Sequence, residues 1–88
     1  MICELDGREM TTREALHAHM AQQLCLPEWY GRNLDALYDA LTDMSDKVIV
    51  LHHISCMLNS LGEYAWMTLK TMIDAVKANP ALEIRIRE

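Results

Sequence analysis

The sequence predicts a small two-layer α/β domain, a three-stranded parallel sheet packed by three to four helices. Three observations predict it. Apolar runs at residues 2–5, 47–52 and 82–87 have the length and branched composition of strands. The segments between them repeat their apolar residues every three or four positions, so helices join the strands, and helical crossovers favour parallel pairing. With 88 residues there is material for one core and not for two, so residues 1–88 read as a single domain.

Each element has its own justification. Residues 2–5 form a short strand closed by Asp6-Gly7 as a turn, and Thr11 with Glu14 three positions later is a capping box that opens a helix. Leu16, Met20 and Leu24 give that helix its buried stripe, and Pro27 follows its end. A loop runs from about residue 26 to 32. Asn33 is an N-cap, and Leu34, Leu37 and Leu41 mark the core face of a second helix ending near Asp43. Residues 47–52 are branched and apolar without alternation, as in a central strand of a parallel sheet. Ile54, Met57, Leu58 and Leu61 predict a short helix. Ala65, Leu69, Met72, Ile73 and Val76 predict a longer one, stopped by Asn79-Pro80. Residues 82–87 alternate strictly, which suits an edge strand with one wet face.

Composition excludes several functions. The formal charge of −5 lacks the basic footprint that phosphate binding needs, so no direct nucleic-acid contact is expected. Cys3, Cys25 and Cys56 are odd in number and without paired spacing, which fits reduced thiols serving as small core residues in a cytoplasmic protein. Acids at positions 4 and 6 are unlike a signal peptide, and no apolar run has the roughly 18 residues of a membrane span. Seven methionines read mostly as core filling.

The charge is localised. Between Glu28 and Asp46 lie five acids and one base, a net of −4 out of the chain's −5. At about 100° per residue, Asp35, Asp39, Asp43 and Asp46 fall within roughly 80° of one another, opposite the leucines. Like charges at i, i+4 oppose helix formation by roughly 0.2 to 0.5 kcal/mol per pair. No Lys or Arg stands three or four positions after Asp35, Asp39 or Asp46 to offset them, and Trp29, Tyr30 and Tyr38 flank the row. Aromatic anchors beside charges have the composition of a binding hot spot, although one of the adjacent loop aromatics is expected to cover the core.

The run Leu26-Pro27-Glu28-Trp29-Tyr30-Gly31-Arg32-Asn33-Leu34-Asp35-Ala36-Leu37-Tyr38-Asp39, continuing through Leu41-Thr42, resembles the signature segment of the barstar family, intracellular inhibitors of the secreted ribonuclease barnase. The resemblance implies a parallel sheet of three strands and an inhibitory surface made of the second helix and the loop before it. Carboxylates on that surface would take the place of substrate phosphates in the ribonuclease site. Carried over, the partner-binding positions are Trp29, Gly31, Asn33, Asp35, Tyr38, Asp39 and Thr42, with Asp43 and Met44 at the helix end. Trp29, Tyr38 and Met44 depart from the best-known member, which has tyrosine, tryptophan and tryptophan there. An acidic contact from the last helix falls near Asp74 or Ala75.

The expectation is thus a 1:1 complex with a basic, barnase-like ribonuclease, without cofactor, metal or catalysis. The alternative is an acidic module of the same fold that neutralises a different toxin or basic partner. A hydrolase built on Asp35, Asp39 and a histidine lacks an evident pocket and a paired nucleophile. His17 and His19, about 200° apart on one helix, cannot share a metal, and His52 and His53, as neighbours in a strand, would point apart. His17 is expected at the edge of the core.

Overall fold

A computed structural model describes residues 1–88. Its elements run β1 (Ile2–Asp6), α1 (Arg13–Gln23), α2 (Leu34–Thr42), β2 (Lys47–His52), α3 (Ile54–Leu61), α4 (Glu63–Ala78) and β3 (Leu82–Ile86), with a 3-10 turn at Gly7–Glu9. The three strands are parallel in the order β1-β2-β3, so β2 is central as its composition predicts. In register, Cys3 faces Ile49 and Leu5 faces Leu51 across the first ladder, and Ile49 faces Ile84 across the second.

One face of this sheet is covered. Leu5, Ile49 and Leu51 are fully buried there against Leu16 and Met20 of α1, Leu37 and Leu41 of α2 and Met72 of α4. Val48 and Val50 turn to the other face and are only half-buried. The unbroken apolar run of β2 is therefore not covered on both sides. The domain has two layers, and the wet face still contacts enough neighbours to favour branched residues.

Local chemistry sets the helix ends, with some shifts from expectation. The cap of α1 is Thr12, not Thr11; its Oγ1 accepts from the Ala15 N–H at 3.0 Å. Residues 7–9 occupy the 3-10 turn first, and that turn displaces the helix start by one position. Gly7 is required by close approach, because a Cβ there would lie 2.1 Å from the backbone oxygen of His53. Gly62, at φ +56, separates α3 from α4. On α4, Ala65 and Met72 are buried as predicted, whereas Ile73 is 46% exposed and Trp66 63%. Of the cysteines only Cys3 is a core residue; Cys25 and Cys56 are exposed, and all three are free thiols. No helix is long and apolar enough to cross a membrane.

Candidate functional site

The loop between α1 and α2 divides its two adjacent aromatics. The Tyr30 N–H donates to the Pro27 oxygen at 3.0 Å, closing a turn over Glu28 and Trp29. Consequently Trp29 stands 84% exposed while Tyr30 is buried at 7%. The Tyr30 hydroxyl lies 2.7 Å from Nδ1 of His17, whose Nε2 lies 2.7 Å from the Tyr64 hydroxyl. His17 is 2% exposed and is thus a core link, not the edge residue its position in the sequence suggests. Burial raises the Tyr30 pKa to about 12. Burial, and secondarily the Arg32 charge, lowers that of His17.

Asn33 then starts α2. Its Oδ1 accepts from the Ala36 N–H at 2.7 Å and its Nδ2 donates to the Gly31 oxygen at 3.2 Å, so the side chain ties the loop to the helix it caps. Gly31 packs close, since a Cβ would sit 3.1 Å from that of Ala36. Leu37 and Leu41 are fully buried, which fixes the rotation of α2 and turns Asp35 and Asp39 outward. Asp43 is the exposed C-cap. Tyr38 is half-buried and packs on the core beside the acids. The Thr42 hydroxyl donates to the Asp39 oxygen of its own helix at 3.0 Å.

The fourth acid of the predicted row is not on the helix. Asp46 follows the end of α2 at φ +42, and its backbone oxygen accepts from the chain's terminal ammonium at 3.2 Å. A periodicity of 100° per residue cannot be extended past a helix end. The row is Asp35, Asp39 and Asp43. None of these, nor Glu28 or Asp46, has a cation within 4.0 Å; the ion pairs are Arg8–Asp6, His52–Glu4, Lys70–Asp74 and Arg85–Glu83.

The end of α2 is held from behind by a residue that sequence reasoning treated only as a stop signal. The buried Asn79 donates from Nδ2 to the oxygens of Leu41 at 3.0 Å and Met44 at 2.8 Å, and accepts from the Ala81 N–H at 3.0 Å. At the helix end the Met44 carbonyl thereby gains a partner, and the Leu41 carbonyl, which already accepts the Met44 N–H, gains a second. Nothing in local spacing reveals a bond that spans 38 residues. On α4, Ala75 is fully buried and Asp74 is at the surface, 2.9 Å from Lys70. Of the two positions in question, only Asp74 could meet a partner, and Lys70 already holds it.

An open groove of about 500 Å³ runs between loop and helix, with Leu26, Trp29 and Met44 among its walls and Asp39 and Asp43 on it. No spacing within the loop or the helix points to this groove. No histidine lines it, so neither the carboxylates nor the Cys25 thiol has an imidazole beside it there. Elsewhere His52 pairs with Glu4, and His19 accepts from the Asp6 N–H at 2.9 Å. His53 lies outside β2 in the left-handed region at φ +54, so it is not a strand neighbour of His52. No three His, Cys, Asp or Glu side chains converge as metal ligands. What this surface offers another molecule is unpaired carboxylates, an indole and an apolar furrow.

Fold and surface together define a small α/β protein with an exposed acidic face, and its relatives make it a non-catalytic inhibitor protein. The family follows from comparison with known proteins: the model of "Barstar (barnase inhibitor)" matches residues 1–87. A relative in Bacillus subtilis (strain 168), "Putative ribonuclease inhibitor YrdF", is 38% identical over 73 residues, covering 81% of this chain and 80% of its own. The chain belongs to the barstar family.

Proposed function

We propose that the protein inhibits a basic ribonuclease of the barnase type, forming a 1:1 complex in which α2 and the preceding loop cover the enzyme's active site. The family and the relative's name support the ribonuclease-inhibitor role. The observation that carries the finer reading is the row Asp35, Asp39 and Asp43, exposed beside Trp29 and free of any ion pair.

A ribonuclease site is built to hold the anions of its substrate, so fixed carboxylates can occupy the places of phosphates. Charge-assisted bonds to arginine, lysine or protonated histidine would form only in the complex. Asp35 and Asp39 supply the central contacts, Trp29 and Gly31 the loop contact, and Tyr38, Thr42, Asp43 and Met44 the far side. Asn33 acts through loop shape, and Asp74 contributes on leaving Lys70.

A second reading, neutralisation of a different toxin or basic partner, is favoured by Met44. This residue is half-buried against the core, and it provides no aromatic anchor at that end. Titrating barnase activity with the protein separates the two readings. Loss of activity at an equimolar ratio supports the first, and undiminished activity at excess inhibitor favours the second.

A further inference from the structure

The loop that displays Trp29 makes few bonds of its own. Its backbone attaches through the N–H groups of Leu26 and Tyr30, and its side-chain attachments are Asn33 on one side and Tyr30 on the other. We propose that His17 is a positioning residue for this loop: its imidazole, seated between the hydroxyls of Tyr30 and Tyr64, locks the loop to α1 and to the start of α4 and so sets the place of Trp29 and Gly31 on the docking face. The proposal rests on the reading of that face as the inhibitory surface.

Both ring nitrogens are used, each at 2.7 Å, and the bond to Tyr30 is buried, so water cannot substitute for that tyrosine without the structure opening. His17 is also the one side-chain partner of the Tyr30 hydroxyl. Without it a buried hydroxyl would be left unsatisfied, and the simplest remedy is for Tyr30 to move outward with its neighbours in the loop. The far end of the link is itself fixed, because the Arg13 guanidinium lies 4.3 Å over the Tyr64 ring.

Burial first, and the Arg32 charge second, favour a neutral ring. Arg13 from α1 and Arg32 from the loop line the cleft that opens onto His17, with Glu14, Asp35 and Tyr64 as the other ionisable groups there. A neutral imidazole donates from one nitrogen and accepts at the other, so one tyrosine hydroxyl gives its proton and the other receives. The link therefore has a direction, and a second proton on the ring would force the donating hydroxyl to turn.

The test compares wild type with Tyr30→Phe, His17→Leu and His17→Gln by backbone amide NMR on the free protein, and by the dissociation rate from barnase. Tyr30→Phe removes one oxygen and keeps the packing, so it remains informative should His17→Leu fail to fold. Tyr30→Phe and His17→Leu are expected to move the amides of residues 28–33 while those of β2 stay in place. Dissociation should quicken about ten-fold or more, since changes within one interface act mainly on the off-rate. His17→Gln, which keeps a donor and an acceptor, should recover part of both effects. Unmoved loop amides in Tyr30→Phe, or a lower melting temperature with an unchanged off-rate, would overturn the proposal. If wild type does not bind barnase, the assignment of target falls, and the amides of the free protein alone decide whether His17 positions the loop.

Discussion

The open face of the sheet and the face formed by the loop and α2 both carry carboxylates, and they treat them differently. On the sheet side Glu4 pairs with His52, Asp6 with Arg8 and Glu83 with Arg85. On the loop and helix, the four acids Glu28, Asp35, Asp39 and Asp43 have no ion pair at all. The chain does not lack base, since Arg13, Arg32, Lys47, Lys77 and Arg87 are also outside every ion pair. A surface pair is worth only about 0 to 1 kcal/mol, so folding alone exerts little pressure either way. What distinguishes α2 is that repulsion is kept there while a buried leucine stripe and an asparagine from another element hold the helix in place against it.

The largest expected effect tests that contrast directly. Asp39→Ala should weaken ribonuclease binding by about 2 kcal/mol or more on the hot-spot scale, to which barnase and barstar themselves contributed. The melting temperature of the free protein should stay level or rise slightly as i, i+4 repulsion is relieved. A clear fall in melting temperature with unchanged binding, measured by calorimetry, would make Asp39 a structural residue. Next, Asn79→Ala should cost about 2 kcal/mol of stability in denaturant titration, because the Met44 oxygen loses its side-chain donor, the Leu41 oxygen loses one of two, and the Ala81 N–H loses its acceptor around a buried side chain. Equal stability of variant and wild type would show that α2 needs no support from behind.

Salt gives a smaller, graded effect. Association with the ribonuclease, followed by stopped flow, should slow several-fold as the Debye length falls from about 30 Å at 0.01 M to about 8 Å at 0.15 M. An on-rate indifferent to salt would mean that the unpaired row does not steer encounter. On the paired face, Glu83→Gln should change stability by less than about 1 kcal/mol and leave binding untouched; a binding defect there would erase the contrast between the two surfaces.

Titration is expected to have the least effect at neutral pH. Burial lowers the His17 pKa below its usual 6.5, so the unfolded chain takes up this proton first as pH falls. Stability attributable to His17 is complete above about 6.5 and declines as pH drops from there toward the lowered folded value. Denaturant melts at pH 7.5 and 5.5 on wild type and His17→Gln check the sign: the wild type should lose more.

The parts of the fold that were legible are those written in nearby residues. Asn33 as cap, Leu37 and Leu41 as the buried stripe, and residues 47–52 as the central strand all follow from spacing within one element. The misses share a different origin. Thr12 replaces Thr11 because a preceding turn uses up residues 7–9, and Asp46 leaves the row because the helix has already ended. Ile73 has the periodicity of a core residue, yet the helix turns it to the surface. Of the candidate site, the exposed carboxylates and Trp29 could be read in advance. The supports could not: His17 reaches Tyr30 and Tyr64, and Asn79 reaches Leu41, through contacts that no sequence window contains.

The clasp at Asn79 also bears on when the protein becomes competent during synthesis. Loop and acid row are complete in the growing chain by residue 44, whereas the amide that fastens the end of α2 is Asn79 and the strand beside it is β3. Until residues 79–86 have left the ribosome, the nascent chain has its carboxylates without the frame that spaces them. The spacing of the acid row is thus acquired only once residues 79–86 have joined the fold.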